Sequence, residues 1–211
     1  MANNESIEWV PFSLTYVEYP KDDILGKFLA FVSLTPFGVI AAFVALCVIN
    51  RDLQTIFFFV GQLSNETMNV VLKNIIKEKR PTELILIGAR RPKTYGMPSQ
   101  HTQFMAFFTI YCCLFLILKY KKSKWLRLIA LFISISALLT VTYSRIYLVY
   151  HTWLQCVVGL LVGSIYASFW FCIVNYWIEP NYFDLIVKWK PSKLIELQNK
   201  PSESELSKKK R

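Results

Sequence analysis

Residues 28–49, from Phe28 to Ile49, form a run of about 22 residues without one charged side chain. Inside a bilayer every backbone N–H and C=O needs an internal partner, so a run of this length folds as a helix that crosses the hydrocarbon. At 1.5 Å per residue, about 20 apolar residues cover a core of about 30 Å. Residues 100–118, 125–143 and 152–178 read the same way, with Trp125, Trp153, Trp170 and Trp177 near several of their ends, as interfacial aromatics are. Residues 53–76 begin apolar at Ile56 to Val60, then carry Gln62, Ser64, Asn65 and Glu66. A carboxylate at mid-span costs about 2.5–3.5 kcal/mol unless it faces the inside of a bundle. This segment therefore reads as a buried, partly polar helix, and the chain as an all-α, polytopic membrane helix bundle of five or six helices. One domain over residues 28–178 is expected between an N-terminal segment, 1–27, and a basic cytosolic tail, 179–211.

The net charge of +10 does not point to nucleic acid, because the bases sit in loops and in the tail and not along one polar face. That distribution suits membrane topology and anionic headgroups. Cys47, Cys112, Cys113, Cys156 and Cys172 all fall in apolar segments, where they read as small hydrophobes and not as a disulfide framework or zinc site. The N-terminus lacks the basic and apolar regions of a cleaved signal, so an internal span directs insertion. The loop holding Lys119, Lys121, Lys122, Lys124 and Arg127 has no acid and is expected in the cytosol together with the tail. His101, Arg145 and His151 then fall on the opposite side. Lys73, Lys77, Lys79, Arg80, Arg90, Arg91 and Lys93 cluster there too, against the positive-inside rule, which implies a need for positive charge at that face.

The chain has two histidines, and each stands in a phosphate-handling pattern at the edge of an apolar segment. One pattern is Pro98-Ser99-Gln100-His101; the other is Ser144-Arg145, five residues, then His151. Histidine can accept, donate or covalently hold a phosphoryl group near neutral pH, since its ordinary pKa is about 6.5. A third pattern, Lys73, six residues, then Arg80-Pro81, puts two cations two turns apart if the helix continues. Such a pair brackets a phosphate, Arg80 as a planar fork and Lys73 as a point charge, with Arg145 as a second fork. Ser99 suits the N-cap of the following helix, whose free N–H groups attract an anion. Taken singly, each histidine reads as an interfacial polar residue and each cation as a headgroup anchor. At roughly 2–7% usage per residue type, however, three such patterns in this order have a chance expectation on the order of 10⁻⁶ for this length.

Together, over residues 73–155, these patterns resemble the three signature motifs of the type 2 phosphatidic acid phosphatase superfamily, membrane lipid phosphatases related to vanadium haloperoxidases. Gln100 and the stretch His151-Thr152-Trp153-Leu154-Gln155 resemble the dolichyl diphosphatase branch. The resemblance implies release of the terminal phosphate from a polyprenyl (dolichyl) diphosphate, for carrier recycling in protein N-glycosylation. It implies His151 as the nucleophile that forms a phosphohistidine, and His101 as the general acid that later activates water. Lys73, Arg80, Ser99 and Arg145 would hold the phosphoryl group, with no metal and no cofactor.

Two positions depart from the superfamily pattern. Gln155 stands where an Asp is usual, four residues after the nucleophile, so its amide is expected to orient His151 without supplying charge unless Glu66, Glu78 or Glu83 compensates. Gln100 stands where a Gly is usual. The rivals are a broader phosphatase acting on phosphatidate or a sphingoid phosphate, and a non-catalytic lipid-carrier or assembly protein that keeps an anion site. The tail Lys208-Lys209-Lys210-Arg211 resembles a dilysine retrieval signal of multi-pass endoplasmic reticulum proteins, which would put the active site in the lumen; a basic tail resting on anionic lipid is the alternative. The Asn4-Glu5-Ser6 sequon is usable if the N-terminus is lumenal, and the Asn65 sequon is expected to be silent within a span.

Overall fold

The computed structural model of the chain describes residues 9–12, 17–81, 94–120 and 123–199. Asn4, Glu83, Arg90, Arg91, Lys93, Lys121, Lys122 and the terminal lysines lie outside the described residues. An antiparallel hairpin of β1 (Trp9–Phe12) and β2 (Val17–Pro20) pairs Val10 with Tyr19 and leads into the helices. Helix α1 (Ile24–Val32) opens on Asp23, whose carboxylate accepts the Gly26 N–H at 2.9 Å. It starts four residues before the expected span because this cap, and not the last charge at Lys27, sets the helix end. Helix α2 (Thr35–Asn50) follows after Ser33 and Leu34, with Pro36 in its first turn, where a missing N–H costs nothing. Helix α3 (Leu53–Ile76) has the bounds expected from sequence and is capped by Asp52, which accepts the Thr55 N–H at 3.1 Å.

Helix α4 (Gln100–Leu118) is followed, five residues on, by helix α5 (Lys124–Tyr147). Helix α6 (Trp153–Cys172) does not stop at residue 178. It passes through a π-helical turn, Ile173–Ile178, into α7 (Glu179–Lys188), with a final short helix α8 (Lys190–Leu194). The polar residues at this junction stay helical because they are partnered: Glu179 is paired with Lys119 at 2.8 Å, and Asn175 accepts from Gln54 at 2.6 Å.

α4 lies at the centre, parallel to α6 and antiparallel to α3. Glycines permit the first contact: a Cβ at Gly159 would lie 2.7 Å from the Ser99 carbonyl, and one at Gly163 would strike the Gln103 carbonyl. Close approach at small residues is how helices associate where lipid provides no hydrophobic drive. The second contact is polar. Gln103 Nε2 donates to Asn65 Oδ1 at 2.9 Å while its Oε1 accepts from Asn69 at 2.7 Å, and Gln62, Asn65, Asn69 and Gln103 are fully buried. The outside is the reverse, with Phe132 73%, Ile165 69% and Val48 66% exposed. Polar inside and apolar outside is the arrangement that lipid selects, and not water.

Among the described residues four helical segments, Ile24–Asn50, Gln100–Leu118, Lys124–Tyr147 and Trp153–Lys188, are long and apolar enough to cross a membrane. The chain is a multi-pass membrane protein. Its α3, about 36 Å long at 1.5 Å per residue, runs the length of the bundle beside them, its polar stripe turned inward. Trp170 departs from the interfacial role expected for it. Its indole N–H donates to the Phe57 carbonyl at 2.9 Å, and it fills the space left by Gly61 on α3.

Candidate active site

Four helix ends meet at one end of the bundle: α3 and α5 finish there, and α4 and α6 begin there. The pairings follow from the packing just described, because the Ser99 N–H donates to the Gln155 carbonyl at 3.0 Å while Asn69 reaches the Pro98 carbonyl at 3.4 Å. The three sequence patterns, far apart in the chain, are thereby brought to one place.

α3 ends just after Lys73. Lys77 takes a left-handed conformation (φ 53°), and its N–H closes on the Lys73 carbonyl at 3.0 Å. The expectation of a continuing helix with Lys73 and Arg80 two turns apart is therefore overturned, since the left-handed cap turns the chain before Arg80. Arg80 approaches from the following loop, where Thr94 steers it: Nε donates to the Thr94 carbonyl at 3.1 Å and an Nη to its hydroxyl at 2.8 Å. Its charge still acts on Lys73, Arg145, His101 and His151.

The turn between Arg145 and His151 accounts for the five-residue spacing. The Arg145 carbonyl accepts both the Tyr150 and the His151 N–H groups, each at 3.1 Å, so the loop closes back on the end of α5. Closing it puts Val149 at φ 56°, a left-handed conformation that costs a non-glycine residue about 1–2 kcal/mol. The Arg145 guanidinium lies 4.2 Å from the centre of the Tyr150 ring, and the Tyr150 hydroxyl accepts the Glu18 N–H at 2.8 Å, tying β2 to the site.

Lys73 and Arg145 are each 4% exposed. Among the described residues Lys73 Nζ and Arg145 Nε have no hydrogen-bond partner. Buried cationic donors without acceptors are costly, and two such atoms in one helix-end cluster are an arrangement that can take the oxygens of an anion. Ser99 occupies the N-cap of α4 but departs from the expected capping role. Its hydroxyl makes no cap bond and instead accepts from Thr102 at 3.2 Å, which leaves the first-turn N–H groups uncapped by it. Gln100 is the first residue of α4 and donates to Glu66 at 2.6 Å, so a side chain is accommodated where glycine is usual. His101, on the next position, is partly buried.

His151 is 3% exposed, and its Nδ1 lies 3.1 Å from Gln155 Oε1. Gln155 is held from every side. Its Nε2 donates to Glu78 Oε1 at 2.8 Å and to the Lys79 carbonyl at 2.9 Å, and its Oε1 accepts the Thr152 N–H at 3.3 Å. Gly96 closes the space above it, since a Cβ there would lie 2.6 Å from Nε2. With acceptors on one side of the amide and a donor on the other, the oxygen must face His151. Nδ1 therefore carries the proton, and Nε2 keeps its lone pair. Burial, and then the charges of Arg145 and Arg80, hold the His151 pKa well below the ordinary histidine value.

Sequence reasoning passed over Thr94, Tyr150 and Thr152. The last was legible, because Thr152-x-x-Gln155 is a capping-box signature: Gln155 receives the Thr152 cap and returns a bond to its backbone while facing His151. Among the described residues no three His, Cys, Asp or Glu side chains gather as a metal-ligating group.

The profile of the PAP2 superfamily matches residues 54–179, which takes in α3 through α6 and all three patterns. The chain belongs to the PAP2 superfamily. Similar relatives include Dolichyldiphosphatase 1 of Homo sapiens, 38% identical over 201 residues that cover 90% of this chain and 82% of the relative. Dolichyldiphosphatase of Saccharomyces cerevisiae is 35% identical over 201 residues, covering 92% and 82%. A transmembrane PAP2-type phosphatidylglycerolphosphate phosphatase of Bacillus subtilis has the same fold, with a TM-score of 0.60 at 16% identity over 72% of this chain and 78% of its own. This PAP2 chain is thus a membrane phosphatase by family.

Proposed function

We propose that this PAP2 chain is a dolichyl diphosphatase that removes the terminal phosphate of a polyprenyl diphosphate through a phosphohistidine. The observation that carries the reading is that two buried cationic donors, Lys73 Nζ and Arg145 Nε, have no hydrogen-bond partner among the described residues and share one cluster with His151, whose Nε2 is left free by the Gln155 contact at 3.1 Å. The names of the human and yeast relatives supply the lipid. His151 Nε2 attacks the terminal phosphorus as the bridging P–O bond breaks, and His101 protonates the leaving lipid monophosphate. His101 then takes a proton from water as its oxygen attacks the phosphohistidine and frees His151. Lys73, Arg80, Arg145, Ser99 and the first turn of α4 carry the charge on the equatorial oxygens, which is the work fixed electrostatics does in phosphoryl transfer. Because these cations are built in, no metal is required.

Residues 28–178 carry this activity, with the site on the lumenal face of the endoplasmic reticulum. Support comes from the acid-free basic stretch of sequence after α4 and the basic tail, both assigned to the cytosol. Five passes, α3 among them, put the N-terminus on the site side, so Asn4 is expected to be glycosylated; an unmodified Asn4 on an N-terminus that protease added outside sealed microsomes digests would put that end in the cytosol and remove α3 from the passes. The decisive experiment offers the purified chain a panel of polyprenyl diphosphate, phosphatidate and sphingoid phosphate with chelator present. Preferential release from the diphosphate, lost in His151→Ala, is expected. Comparable rates on the monoesters would favour the broader phosphatase, and phosphate binding without turnover would favour the carrier.

A further inference from the structure

The usual acidic partner of a PAP2 nucleophile is absent at position 155, yet a carboxylate stands one side chain further out. Glu78 lies on the loop that follows the left-handed cap of α3, and its Oε1 accepts Gln155 Nε2 at 2.8 Å, while Gln155 Oε1 faces His151 Nδ1 at 3.1 Å. The Gly96 N–H donates to the Glu78 carbonyl at 2.7 Å, so the residue is fixed by its backbone as well.

We propose that Glu78 is a positioning residue of the phosphoryl transfer, completing a His151–Gln155–Glu78 relay in which an amide carries the influence of a carboxylate to the nucleophile. The inference rests on the phosphohistidine reading above. Two physical effects follow from the contacts. A carboxylate only accepts, so it forces the NH2 end of Gln155 outward and the oxygen inward, which holds the Nδ1–H tautomer. Its negative charge also polarises the amide, which strengthens the bond from Oε1 to Nδ1–H as positive charge grows on the ring. That charge grows when the Nε2–P bond forms and the P–O bond to the lipid breaks. No proton passes through the amide: Nδ1 keeps its hydrogen throughout, and the leaving group is protonated by His101.

Glu78→Gln preserves size and one acceptor but removes the charge, and its own amide can present NH2 to Gln155. A fall of about tenfold in kcat with KM changed by less than about twofold is expected, as for a group acting on the transition state and not on lipid binding. Gln155→Glu alone is expected to be impaired as well, because it sets two carboxylates against each other. The double variant Glu78→Gln/Gln155→Glu exchanges the two groups, places the charge directly on Nδ1–H and the amide behind it, and is expected to be more active than either single variant. A packing role alone would make the double worse than both.

The measurement uses the full-length chain in detergent micelles with a polyprenyl diphosphate of fixed length. A Glu78→Gln kcat equal to wild type, or a double variant no better than its singles, would overturn the role of Glu78. A wild-type chain that releases no phosphate from any lipid in the panel would instead overturn the proposed function, so the two failures are distinct.

Discussion

Replacing Lys73 by Met is expected to make the protein more stable and nearly inactive. Lys73 is 4% exposed, its Nζ has no hydrogen-bond partner among the described residues, and Arg80 and Arg145 repel it while Glu66 attracts it. A buried polar group left without a partner costs about 1–3 kcal/mol, and more when charged. Met keeps the length and apolar contacts of the lysine stem, so the variant is expected to gain about 1–3 kcal/mol. In a chain of this size each kcal/mol is worth about 2–4 °C in Tm. Activity moves the other way, since loss of one fixed donor to a transition-state oxyanion costs about 2.7–4 kcal/mol, or 10²–10³-fold in kcat. Tryptophan fluorescence on heating in micelles gives the midpoint, with and without inorganic phosphate, alongside kcat. Phosphate is expected to raise the wild-type midpoint and to leave the variant unmoved. A variant that is less stable than wild type and still active would refute the idea that Lys73 is kept unpaired for an anion.

Gly159→Ala places a methyl 2.7 Å from the Ser99 carbonyl and is expected to cost about 1–3 kcal/mol by overpacking α4 against α6, read as a lower midpoint; an unchanged midpoint would show that the helices yield freely. Tyr150→Phe keeps the ring under Arg145 and loses only the bond from Glu18, about 0.5–1.5 kcal/mol, whereas Tyr150→Leu also loses the cation–π contact and is expected to have the higher KM. In the proposed mechanism the neutral imidazole of His151 attacks, and its pKa is lowered, so the loss of kcat/KM that comes from protonating His151 is expected only below about pH 6.5. The same shift makes stability fall in acid: the unfolded histidine binds its proton from about pH 6.5 while the folded one does not, so this contribution is complete above that pH and is lost as pH drops through the folded pKa. An acid limb centred above pH 6.5, or one unaltered by Arg145→Met, would contradict that account.

The bounds of α3 and α4 were legible because a polar cap and the return of charge bracket each apolar run, as at Asp52 before Leu53 and Lys119 after Leu118. The continuation of α6 into α7 was not, because it depends on Lys119, 60 residues away, burying the charge of Glu179. Trp170 misled for a similar reason. Whether a tryptophan sits in headgroups or in the core is decided by the glycine opposite it, and Gly61 is on another helix.

At the site, Lys73, Arg80, Ser99, His101, Arg145, His151 and Gln155 could be named as candidates from the chain alone, because phosphate chemistry needs scarce residue types and both histidines lie in such patterns. Which of Glu66, Glu78 and Glu83 stands behind Gln155 is a matter of where the chain goes after α3. Only Lys77 in its left-handed cap answers it, by turning Glu78 onto the amide and Arg80 into the loop. Hydropathy and residue chemistry are properties of the sequence read in order, and they settle that this is a membrane bundle and which residues are candidates for holding a phosphate. Partners that meet across 77 residues, as Glu78 and Gln155 do, are settled by packing, since a contact at 2.8 Å depends on how helices register through Gly159, Gly163 and the Asn65–Gln103 bonds.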